Sequence, residues 1–220
     1  HRGLIRALGL GKDGLTDREI AELPAIAEGV TMTERRSMAA ERDAMDRYIA
    51  AFLADRVGAQ LGRLDGLLHC AAEFRGLTPL DHADPAAFAR ALHVNLTARW
   101  WLTQACLPLL RRATDSAVVF AVDDRARSAG AYWGGYGLAQ AGLEALVRML
   151  HAELARSPVR VSGLQPPPMR TALRARAHVE EDDRVARDPG DVAAACITLL
   201  APDGAPHRGR VWSPAAGPSA

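Results

Sequence analysis

Apolar positions along this chain either form short continuous runs or recur at a spacing near 3.6 residues. The run Val118-Val119-Phe120-Ala121-Val122 is short, apolar and β-branched, and Asp123-Asp124 closes it. This pattern predicts a buried strand that delivers polar groups at its C-terminal edge. A loop rich in Gly and Ala follows. Beyond it Tyr136, Ala139, Leu143, Leu146, Val147 and Leu150 share one face at helical spacing. Residues 64–69, 159–164 and 209–212 carry further strand signals. Helical periodicity marks four more stretches. The first runs from 33 onward, with a stripe of Met38, Met45, Tyr48, Ile49, Phe52, Leu53 and Val57; the others are 88–110, 172–177 and 192–200. Asp81 to Asp84 ahead of Pro85, and Asp188 ahead of Pro189, read as helix starts. Strands that alternate with helices predict an α/β protein with a parallel sheet, in which ligands sit beyond the carboxyl ends of the strands.

The first sixty residues follow this alternation least. Leu4, Ile5 and Leu8 are helix-spaced, Thr16-Asp17 ahead of Glu19 resembles a helix start, and 25–32 reads as a strand interrupted by Gly29. Residues 34–46 are highly charged and read either as loop or as a helix end. Gly9, Gly11 and Gly14 match G-x-G-x-x-G, but the segment before them is broken by Arg6 and the one after is charged. A flexible turn between two helices is therefore the default there, because a dinucleotide fingerprint needs a strand before it and a close-packed helix after it. The chain divides into an atypical, mostly helical segment at 1–60 and a core at 61–220, within one domain.

The pattern also carries a resemblance. Tyr136 and position 140 are spaced like the Tyr-x-x-x-Lys signature of short-chain dehydrogenase/reductases, and position 123 stands where that family keeps its catalytic Ser. Val94-Asn95-Leu96 resembles the family's Val-Asn-Leu segment, in which the Asn lies at a helix kink. His69-Cys70-Ala71-Ala72 stands in place of Asn-Asn-Ala-Gly, and Gln165-Pro166-Pro167 in place of Asn-Pro-Gly, with Thr171 following. The resemblance runs from about 64 to 212. It implies a Rossmann-like, doubly wound parallel sheet whose N-terminal βαβ half is altered or truncated. It also implies catalytic positions at Tyr136, Asn95, Asp123 and Gln140, and cofactor contacts at Cys70, Ala71, Pro166 and Thr171.

Two of those reactive groups differ from the family's. Gln140 removes the cation that lowers the phenol's pKa in the family, and a carboxylate at Asp123 opposes its ionisation. Pro167 replaces a Gly and offers no N–H. The expectation is a degenerate member without ordinary hydride transfer that holds NAD(P) weakly or not at all. Such a protein would act as a pseudoenzyme or an oligomeric partner. It would pair with itself or with an active relative through the helices at 89–111 and 135–155, and Trp101, Tyr132 and Trp133 are candidates for exposed contact. Two alternatives stay open: an NAD(P)-dependent carbonyl reductase with a modified site, and a redox-free lyase or isomerase with Asp123 as base and Tyr136 as acid. A loop or helix cap is the structural alternative for Asp123.

Composition narrows this picture little. With 27 basic and 26 acidic residues the formal charge is +1, which implies no affinity for nucleic acid or membrane. Arg170, Arg174 and Arg176 read as a solvated helix face. Cys70, Cys106 and Cys196 have no metal-site spacing and read as small buried residues of a reducing, cytoplasmic protein, and no metal is expected.

Overall fold

The computed structural model describes residues 38–178 and 186–214. The glycine motif at 9–14, the expected helix and strand before residue 33, the acidic loop at 180–183 and the end of the small-residue tail lie outside the described residues. Three helices and a strand open the described fold: α1 (Met38–Leu61), β1 (Gly66–His69), α2 (Pro85–Leu92) and α3 (Ala98–Leu110). Then come β2 (Ser116–Ala121), α4 (Arg125–Ser128), α5 (Gly134–Glu153), β3 (Val159–Leu164), α6 (Ala172–Ala177), α7 (Ala193–Leu200) and β4 (Val211–Trp212). The four strands pair in parallel in the order β1-β2-β3-β4, with Leu67 opposite Val118 and Val118 opposite Val161.

The two-residue period of the strands divides the core into two layers. Leu67, Val118, Phe120, Val159 and Val161 pack against α1, α3 and α5, burying Leu110, Leu143 and Val147 with them. Leu68, Val119 and Leu164 face the other way, onto Val192, Ala195 and Leu199 around α7. Helices on both faces make the sheet doubly wound, and they explain why β2 is apolar throughout rather than alternating. Its Val118, Val119 and Phe120 have no exposed surface.

The long helix expected at 88–110 is interrupted. Residues His93–Thr97 form a single π turn between α2 and α3. Here Asn95 Nδ2 donates to Ala91 O and to Glu73 O, and Asn95 Oδ1 accepts from the Glu73 N–H. The amide thus binds the loop after β1 to the helix at the point where an extra residue widens the turn. Of the paired tryptophans, Trp100 is exposed, whereas Trp101 packs against the core and the His93 ring.

Three expectations are corrected. Cys70 is exposed, because it follows the last paired residue of β1. Arg174 is buried on the inner face of α6, so the arginine cluster is not wholly solvated. Trp133 is buried against Phe74 and Tyr136, so it presents no exposed contact; Tyr132 beside it does.

Candidate functional site

The carboxyl edge of β2 leads directly into the site. Asp124 caps α4 by accepting the Ala126 N–H, which leaves Asp123 for another task. Asp123 Oδ1 accepts the Asp124 N–H, and Oδ2 accepts the Tyr136 hydroxyl at 2.8 Å. The Asp123 N–H donates to Gln140 Oε1 at 3.0 Å. Tyr136 and Gln140 stand one turn apart on α5, so both reach the same edge. Asp123, Tyr136 and Gln140 are therefore brought together, and Asp123 is not a helix cap. Asn95 has no exposed surface, and its side chain bonds the backbone of Glu73 and Ala91.

The phenol is enclosed. Phe74, Trp133 and Tyr136 form a ring cluster with centroids 5.0–5.7 Å apart, and Ala177 of α6 closes it. Tyr132, at φ 74°, lies in the left-handed region that a bulky residue rarely occupies, and its carbonyl accepts the Thr78 N–H. That turn presents Trp133 to the cluster. The start of α5 packs tightly as well: a Cβ at Gly135 would stand 2.7 Å from Phe88 O, and one at Gly137 would collide with Ser128 O. A cleft of about 90 Å³ remains between the 73–78 loop, α2 and the start of α5, reaching Tyr136. It is small beside an ordinary ligand pocket of roughly 300 Å³ or more.

Burial and the Asp123 carboxylate push the Tyr136 phenol far above its ordinary range, and Arg99 opposes them. Arg99 is a functional candidate that sequence reasoning missed. It lies on the buried stripe of α3 with Leu102, Thr103 and Cys106, and a charged residue on an apolar stripe was the available signal. Its Nη1 donates to Ala121 O at 2.8 Å and its Nη2 to Ala71 O at 2.6 Å, across the carboxyl ends of β2 and β1. His69 was also passed over. It stacks on Phe120 at 4.7 Å and bonds Thr103 Oγ1, and burial with the Arg99 charge lowers its pKa to about 3.

Of the four expected cofactor contacts, Cys70 and Ala71 follow the carboxyl end of β1, and Pro166 and Thr171 follow that of β3. Cys70 is exposed at the end of β1, and the Ala71 carbonyl is occupied by Arg99. Thr171 caps α6 by accepting the Arg174 N–H. Pro166, Pro167 and Pro168 offer no N–H, and the Arg170 N–H already donates to Arg187 O. The three prolines thus narrow the backbone donors of this loop to a few, the Met169 N–H among them.

A parallel sheet wound on both sides, with a Tyr presented by a helix at the carboxyl edge of its second described strand, is the architecture of a nucleotide-type α/β fold. The sequence model described as enoyl-(acyl carrier protein) reductase matches residues 14–212, and the chain belongs to the short-chain dehydrogenase/reductase family. The uncharacterized oxidoreductase YciK of Escherichia coli K12 is 32% identical over 151 residues, which are 69% of this chain and 60% of that protein. The chain thus spans well under two-thirds of that relative's length. A short chain dehydrogenase from Salmonella enterica serovar Typhi superposes with a TM-score of 0.73 at 29% identity, over 77% of this chain and 70% of that one. A protein from Escherichia coli CFT073 solved as a complex with NADPH gives 0.72 at 25% identity, over 91% of this chain and 83% of that one.

Proposed function

We propose that this protein is a family member in which tyrosine-driven hydride transfer has been lost, and that it serves as a partner in an assembly, with NAD(P) held weakly or not at all. One observation carries the reading: the Tyr136 hydroxyl donates to Asp123 with Gln, not a cation, at position 140. A phenol bound to a carboxylate is held protonated, and its proton points away from any incoming carbonyl oxygen. Each pH unit by which the phenol is raised lowers the ionised fraction about tenfold. The cover formed by Phe74 and Trp133 and the run of prolines after β3 support the same reading.

Pairing would use α3 and α5. Trp100, Leu138 and Met149 keep 39–58% of their surface exposed, on faces that the other described residues leave uncovered. Light scattering on Leu138→Glu and Met149→Glu tests this; an unchanged mass against a native oligomer refutes it. Cofactor is tested by titrating NADPH and NADH against melting temperature. A shift at micromolar cofactor refutes weak binding, since ligand at 100 times Kd adds about 2.7 kcal/mol. Cofactor-dependent reduction of any carbonyl refutes the loss of hydride transfer.

A second reading keeps chemistry at the site. The same 2.8 Å bond makes Asp123 and Tyr136 a base and an acid within proton-transfer distance, without redox. Asp123→Asn would then abolish any lyase or isomerase activity found, and full retention refutes it. Because a structural relative was solved with NADPH, the cofactor titration bears on both readings.

A further inference from the structure

Arg99 stands one helical turn past Asn95, is 4% exposed, and bonds two neutral carbonyls, with no partner at Nε. Among the described residues no carboxylate forms an ion pair with it. A buried guanidinium without a nearby anion is strongly unfavourable, so a structure that keeps one needs a counterweight for it. The strand that Nη1 holds at Ala121 O leads within two residues to Asp123, whose carboxylate accepts the Tyr136 hydroxyl, and Tyr136 and then Cys70 are the groups that favour the Arg99 charge. We infer that Arg99 is a positioning residue of the Asp123–Tyr136 pair, so that α3 supplies the cation that α5 lacks at position 140.

Three observations converge on this role. Gln140 is occupied as an acceptor of the Asp123 N–H, a task an ammonium cannot perform because it has no lone pair. Position 140 therefore orients Asp123, and the charge enters from elsewhere. Arg99 remains protonated at neutral pH: burial lowers its pKa only to about 10, and the Tyr136 phenol pulls it back up. The influence is mutual, since Arg99 draws the phenol's pKa down against burial and Asp123. Both Nη groups are committed to strand carbonyls, so the cation acts through the phenol and its field and not by touching a ligand. Among the described residues, the other charged or titratable groups around the pair include Asp124 next to Asp123, Glu73, His69 and Cys70 on the β1 side, Arg176, which donates to Phe74 O, and His178 beyond Trp133.

The inference concerns the same residues as the proposed function, but it requires neither cofactor nor turnover, so the two fail independently. The test is a titration of the full chain labelled with ¹³Cζ-tyrosine. The chain has three tyrosines, and exposed Tyr132 serves as an internal reference. Asp123→Asn is the background, because removing the carboxylate brings Tyr136 toward an accessible pH. Adding Arg99→Met should raise the Tyr136 midpoint by about one pH unit or more, a tenfold loss of the ionised form. Arg99→Lys should restore most of it, and so should Arg99→Met with Gln140→Lys, which returns the cation to α5. An unchanged Tyr136 midpoint in Arg99→Met overturns the inference. A second comparison leaves Arg99 untouched and holds if Arg99→Met does not fold. Gln140→Lys and Gln140→Met both lose the acceptor, but only Lys adds a second cation. Gln140→Lys should melt lower than Gln140→Met by at least ~2–4 °C; equal melting temperatures overturn the inference.

Discussion

Acid should unfold this protein through His69. Thr103 Oγ1 donates to Arg99 O, so it accepts from His69 Nε2, which fixes the imidazole as the neutral Nε2–H form. The ring stacks on Phe120 at an interplanar angle of 10° and is 5% exposed, with the Arg99 charge nearby. Protonation would place a second positive charge near the guanidinium in a buried site. The folded pKa of about 3 lies below the ordinary 6.5. The unfolded chain therefore binds the proton first, and the stability contributed by neutral His69 is complete above pH 6.5. It is lost as pH falls from 6.5 toward 3, at ~1.4 kcal/mol per pH unit and roughly 4–5 kcal/mol in full. Against a usual stability of about 5–15 kcal/mol, half of that range crossed by pH 4.5 is a large loss. The assay is urea unfolding followed by circular dichroism at pH 7.5, 6, 5 and 4.5, on the native chain and on His69→Phe. The phenyl ring keeps the stack on Phe120 and cannot titrate. The difference between the two chains isolates His69 from the other six histidines. A native chain that loses about 2–3 kcal/mol more than His69→Phe between pH 6.5 and 4.5 supports the reasoning. Parallel loss in both, or a His69 resonance that titrates near 6.5, refutes it.

Further outcomes follow from the same structure. Tyr136 gives the opposite limb: its folded pKa is raised, so the stability of the buried phenol is complete below pH ~10 and falls as pH rises above that. Tyr136→Phe should remove that alkaline slope in urea midpoints measured from pH 9 to 11, and an unaltered slope refutes it. Leu143→Arg should fail to fold, because Leu143 has no exposed surface and a charge there has no partner; a soluble variant with native melting temperature refutes it. Asp84→Ala removes the acceptor for the Ala86 and Ala87 N–H groups at the start of α2. It should cost ~1 kcal/mol, or about 2–4 °C in melting temperature.

Much of the fold is legible in the chain because its signals are local. The apolar run at 118–122 predicts a strand, and β2 occupies Ser116–Ala121. The run at 159–164 coincides with β3, and 172–177 with α6. The spacing of Tyr136 from positions 123 and 140 places three side chains at one strand edge, where two hydrogen bonds join them. Pattern fails where a residue's neighbours are distant. The π turn at Asn95 depends on the Glu73 backbone, 22 residues away, and periodicity alone reads straight through it. Trp133 looks like a surface residue until Phe74 and Ala177 close over it, and Arg174 until α6 packs with its side chain inward.

The sequence by itself determined the order of strands and helices, the two-faced core and the exchange of Ser and Lys for Asp123 and Gln140. The order follows from side-chain periodicity, and the two-faced core and the exchange from the resemblance to the family carried by Tyr136, Asn95 and their spacing. Only the tertiary structure decided what those exchanges do. It turned the Tyr136 hydroxyl onto Asp123 as a hydrogen-bond donor, placed Gln140 under a backbone N–H, and brought the guanidinium of Arg99 to carbonyls 22 and 28 residues away. The physical reason is that the energy of a buried charge is set by the groups packed around it, and packing joins residues whose separation along the chain carries no pattern.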